Sequence, residues 1–89
     1  MLTVTPAARQ CLLSRLGHKK AADDVAMRFT RREGGWRLKL DRAGPDDTAF
    51  THEGRNVLLL DDAVSKAMAN MKLDVRTTKG GSRLRLCRI

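Results

Sequence analysis

The sequence predicts an α+β domain, a small, mostly antiparallel (mixed) β-sheet covered by two helices. Three observations carry this. Apolar and polar residues alternate in several runs, most clearly Val25-Met27-Phe29 and Trp36-Leu38-Leu40, the period of a strand with one buried face. Two stretches repeat at helical spacing instead, Ala8-Leu12-Leu16 and Val64-Ala67-Met68-Met71. Glycines fall between the alternating runs, at Gly34-Gly35, Gly54 and Gly80-Gly81, where hairpins turn.

In chain order, Leu2 to Val4 is a short strand. Thr5-Pro6 starts a helix: the hydroxyl caps free backbone N–H groups, and proline at the first helical position has no N–H to leave unpaired. Gly17 is the expected stop, with Cys11 at the edge of the apolar face and His18 in the loop beyond. The strands of Val25 and of Trp36 form a hairpin through Glu33-Gly34-Gly35, with Trp36, Leu38 and Leu40 turned inward. Ala43 to Asp47 is a loop, and Thr48 to Leu60 a second hairpin turning at Glu53-Gly54 beside an exposed His52. Asp61 caps a second helix that runs through Met71. Leu73, Val75 and Thr77 make the next strand, Gly80-Gly81 the turn, and Leu84 and Leu86 the last strand. The order is strand, helix, four strands, helix, two strands.

The chain has 89 residues, read as one domain over 1–89. A domain this size buries only about 60% of the surface its unfolded chain exposes. Hydrophobic residues are 42% and charged residues 31% of the chain, which suits a soluble protein and not a disordered one. No apolar run reaches the roughly 20 residues of a membrane span, and the N-terminal stretch does not read as an export leader. Two isolated cysteines, Cys11 and Cys87, are no disulfide framework, so a reducing cytoplasm is the expected location.

Chemistry is sparse. Two cysteines and two histidines lie far apart, without CxxC or HxxxH spacing, where zinc or a cluster needs several converging ligands. Ser14, Ser65 and Ser82 sit in no nucleophile elbow. The pairs Asp23-Asp24, Asp46-Asp47 and Asp61-Asp62 fall at turns and helix starts, where aspartate caps. No phosphate-binding loop is present. The chain is expected to be no enzyme. The formal net charge is +8, and Arg76, Lys79, Arg83, Arg85 and Arg88 follow Val75 without a carboxylate, a block that suits an anionic partner or simply a solvated face. Phe and Trp all fall on apolar sides of their alternations, which weakens a base-stacking surface.

The order of these elements resembles the A-type iron–sulphur carrier family, the HesB/IscA-like domain. Thr5-Pro6-Ala7-Ala8 matches its helix start and Met27-Arg28-Phe29 its strand opening. Asp47, Phe50 and Gly54 match its acidic, aromatic and hairpin positions. Leu58-Leu59-Leu60-Asp61, Leu73-Asp74 and Gly80-Gly81-Ser82 match the later motifs, with the Asp61-to-Asp74 spacing ungapped. The cysteines depart from the pattern. Where the family has Gly-Gly-Cys-Ser-Gly before a strand aromatic, Gly34-Gly35 runs directly into Trp36, and the Cys-Gly-Cys tail is unmatched by Leu86-Cys87-Arg88-Ile89.

The resemblance therefore implies a degenerate member: a non-catalytic binding or accessory protein, related by lineage to iron–sulphur assembly, that ligates no cluster and has no cofactor or metal. Its expected partner is an assembly protein or another acidic protein, with the chain a monomer or homodimer and no membrane contact. Two alternatives stand beside this. Cys87 from two chains of a dimer could hold iron or a cluster, or the basic C-terminal hairpin could bind nucleic acid.

Overall fold

A computed structural model describes residues 1–89. The elements are β1 (Thr3–Val4), α1 (Pro6–His18), β2 (Val25–Arg32), β3 (Gly35–Arg42), β4 (Thr48–His52), β5 (Arg55–Leu60), α2 (Asp62–Ala67), β6 (Met71–Thr78) and β7 (Gly81–Arg88). This is the order read from the sequence. The strands divide into two sheets, ordered β1-β6-β7 and β3-β2-β5-β4. Three hairpins are antiparallel, while β1–β6 and β2–β5 pair in parallel. No helix is long and apolar enough to cross a membrane.

Thr5 begins α1 as expected, its hydroxyl accepting from Ala8 N at 3.1 Å. The same hydroxyl donates to the Asp74 carboxylate at 2.9 Å, and Thr5 N donates to Leu73 O at 3.1 Å. The start of α1 is thereby fastened to β6. Ala8, Leu12 and Leu16 are wholly buried. Their stripe packs on β2, β4 and β5 of one sheet and on β6 and β7 of the other.

The helix does not stop at Gly17. It continues to His18, and Lys20 takes the left-handed conformation at φ 52°. Lys20 N donates to Gly17 O at 3.1 Å and Ala21 N to Leu16 O at 3.0 Å. These are the two bonds of a Schellman motif, which usually places glycine where Lys20 stands. The reading at Gly17 failed because a lysine carries the strained position.

The second helix is also shorter than its apolar spacing suggests. It ends at Ala67, with Met68 as its buried cap, and Met71 opens β6 opposite Arg88. Strand pairing captures the residue that helical periodicity had claimed. On β3, Trp36 and Leu38 pack against the core, but Leu40 is 41% exposed. It lies beside Lys19, Lys20 and Ala22, past the end of α1, where no helix covers it.

Val57, Leu58, Leu59 and Leu60 are all wholly buried, and the adjacent Val57 and Leu58 both join the same core cluster, which strict alternation would send to opposite faces. Phe50 pairs with Leu58 and Thr51 with Asn56, leaving Val57 as an extra residue in β5. This bulge lets Val57 and Leu58 both enter the core. Leu59 lies on the reverse face, in register with Ala49 and Arg28.

Two substitutions check this architecture by urea denaturation. Leu58→Ala is expected to cost about 3 kcal/mol through the cavity it leaves. Lys20→Gly is expected to raise stability by about 1 kcal/mol by relieving the left-handed strain. A destabilised Lys20→Gly variant would contradict the helix ending described here.

Candidate functional site

The thiols come first, because strand register decides where they point. Cys87 lies on β7 opposite Lys72, and its Sγ approaches Lys72 O at 3.7 Å. It shares the outer face with Arg83 and Arg85, while Leu84 and Leu86 pack against the core. Cys11 lies on α1 and lines a cleft of about 500 Å³ with Ser14, His18, Val75 and Thr77, on the inner side of the same sheet. The two cysteines are therefore on opposite faces of β6–β7, and both are free. His18, the last residue of α1, is exposed beside Cys11's cleft. His52 is half-buried, not exposed as its place beside a turn suggested, because its Nε2 meets Gln10 Oε1 at 2.9 Å. No three His, Cys, Asp or Glu side chains gather anywhere. The residues of one chain do not fit the four ligands of a cluster.

The five expected anion-binding residues divide into two places. Arg76, Lys79, Arg83 and Arg85 line one open cleft of about 660 Å³ on the β6–β7 hairpin. Arg88 stands apart, opposite Met71 at the other end, beside Lys66 and Asn70.

The strongest electrostatic feature was not legible as such. Arg28, on the reverse face of β2, donates from Nε to Asp41 at 2.8 Å and from Nη1 to Asp47 at 2.8 Å. Its Nη2 makes a second bond to Asp47 and one to Arg42 O. Asp47 also accepts from Gly44 N at 2.6 Å. The Arg28 and Asp47 side chains are 12% and 8% exposed. The Arg28 guanidinium, aided by Gly44 N–H, holds the Asp47 carboxyl down to about 2, and the carboxylates raise Arg28 in turn. Asp47 read as a turn aspartate. It is one, through Gly44, but it also closes a two-pronged ion pair across 19 residues. Only the alternation that sets Arg28 outward with Asp41 hinted at this. The cluster fixes the β3–β4 loop against the sheet.

Trp36 packs edge-on to Phe29, ring centroids 6.4 Å apart, with the Arg31 guanidinium over its ring at 5.5 Å. An apolar cleft of about 410 Å³ lies here between the sheets, bounded by Trp36, Leu38, Leu73, Leu84 and Leu86 with Arg15 and Arg37 at its rim.

These layers define a HesB/IscA-like fold, the class that the motif order suggested. Eight solved chains match it. Escherichia coli SufA, solved as a protein involved in biosynthesis of iron–sulphur clusters, superposes with TM-score 0.76 at 21% identity, covering 98% of this chain and 84% of that one. IscA, solved with the [2Fe-2S] cluster, superposes with TM-score 0.64 at 23% identity, covering 99% and 85%. No family model and no curated protein matches the sequence. At such identities the likeness is one of fold.

The comparison corrects one expectation. Missing cysteine motifs suggested a protein without a cofactor, yet IscA, of this same fold, is solved with a [2Fe-2S] cluster. Absence of the motifs was the wrong ground, because it tests ligand spacing within one chain only.

The ion cluster predicts a pH dependence. Asp47 titrates below its ordinary value of 3.8, so its contribution is complete above about pH 4 and is lost as pH falls towards 2. Urea midpoints should drop through that window. Asp47→Asn should flatten the drop and cost about 3 kcal/mol at neutral pH, since it leaves Arg28 buried without its main partner.

Proposed function

We propose that this chain serves iron–sulphur cluster assembly as a binding protein and not as an enzyme. The observation that carries the reading is the superposition on SufA over 98% of the chain. The likeness to IscA, solved with its cluster, supports it. Residues 1–89 act as one HesB/IscA-like unit, and an assembly protein is the natural partner class.

The cluster is cargo, and the chain meets it through thiolates supplied in part from outside. Cys87 is the residue placed for this: it is part-exposed on the outer face near the end of β7. Cys11 lies on the other side of the sheet and cannot join it. A cluster bound by cysteines needs four thiolates; two copies supply two through Cys87, so thiols of a partner or small thiols complete the set.

Anaerobic reconstitution with iron and sulfide, with and without added glutathione, tests this by visible absorption. A chromophore is expected only when external thiol is present, and Cys87→Ser should abolish it. A stoichiometric chromophore on a single chain that survives Cys87→Ser would refute the reading, as would no chromophore under any condition.

A further inference from the structure

The β6–β7 hairpin carries an electrostatic arrangement that the fold itself does not compensate. Arg76 and Arg83 stand directly opposite each other across the two strands. Opposed side chains have Cβ atoms about 5 Å apart, and like charges so placed are destabilising. Arg85 follows Arg83 on the same face, about 7 Å further along the strand, and Lys79 lies in the connecting turn. None of these four forms an ion pair within the chain. Asp74, opposite Arg85, feels the Arg85 charge without an ion-pair contact, and its Oδ1 accepts from Val75 N at 2.8 Å and from the Thr5 hydroxyl at 2.9 Å. Those bonds hold its carboxyl below the ordinary range.

The composition of the cleft distinguishes the kind of anion. Only one of its seven lining residues is hydrophobic, Leu84. The buried centre of a protein–protein interface is on average more apolar and poor in charge, whereas nucleic-acid interfaces are polar and strongly positive. Three of the four cations are arginines, whose forked guanidinium groups bind phosphate oxygens in pairs. No aromatic lies on the hairpin: Phe29 and Phe50 are buried and Trp36 faces the core. Bases therefore have no stacking platform there, and contact is with the backbone, which carries no sequence information.

We propose that the outer face of the β6–β7 hairpin, through Arg76, Lys79, Arg83 and Arg85, binds the phosphate backbone of nucleic acid without sequence preference. This site is separate from the cluster reading and needs no cluster.

The test is fluorescence anisotropy of the full chain with short labelled single-stranded and duplex DNA, titrated with salt. Four phosphate contacts predict a slope of log K against log salt of about −3 for the single strand and nearer −4 for the duplex. Arg83→Glu should weaken binding at least tenfold, while removing the repulsion with Arg76, so the variant should melt no lower than the parent. Lys66→Glu, which makes the same charge change on α2, should weaken it much less. Three results would overturn the proposal. They are no binding at low salt, equal losses in the two variants, and competition by polyglutamate as effective as by unlabelled DNA. The last of these would point to an acidic protein instead.

Discussion

The structure depends on one apolar stripe, Ala8, Leu12 and Leu16 of α1. Neither sheet is large, and β1 adds only a two-residue pairing to the β6–β7 hairpin, which as an isolated hairpin would be marginally stable. The stripe gives both sheets a common surface to bury against, with Phe29, Leu58 and Leu60 from one side and Leu73 from the other in the same cluster. Thr5 sets the helix at the correct place by capping it and bonding to β6 at once. The two parallel pairings, β1–β6 and β2–β5, join segments distant in sequence, and α1 packs on both sheets that contain them.

Charge is sorted as strictly as apolar surface. Aspartates are consumed internally. Asp47 and Asp41 hold Arg28, Asp24 holds Arg42, Asp61 caps α2 and Asp74 binds Thr5. On the hairpin at the end of the chain, Arg76, Lys79, Arg83 and Arg85 form no ion pair. The net charge of +8 is shared among several elements, and the hairpin concentrates part of it into a local potential of the kind that steers an anionic partner.

Fold and site chemistry separate in this protein. Its scaffold is that of SufA and IscA, while its own two thiols are held apart by a sheet. Fold and site make different demands, because the core needs apolar volume in the correct order and a cluster needs particular atoms at particular points. Trp36 illustrates this. After Gly34-Gly35 it sits on the strand as the core requires, half-buried and edge-on to Phe29.

Local signals determined much on their own. Thr5-Pro6, the α1 stripe, the Asp61 cap, the hairpin positions and the element order all follow from interactions spanning a few residues, which a sequence displays directly. The motif order was enough to reach the fold class. Tertiary structure alone decided the rest. It divided the strands into two sheets, admitted the Val57 bulge, ended α2 at Ala67, carried α1 past Gly17 and left Leu40 uncovered. It also closed Arg28 on Asp47 and put Cys11 and Cys87 on opposite faces. These outcomes turn on what lies across from a residue in space. Apolar spacing says that a side chain will be buried, but only the packed partner determines by what, and which charges remain free once the fold has used its own.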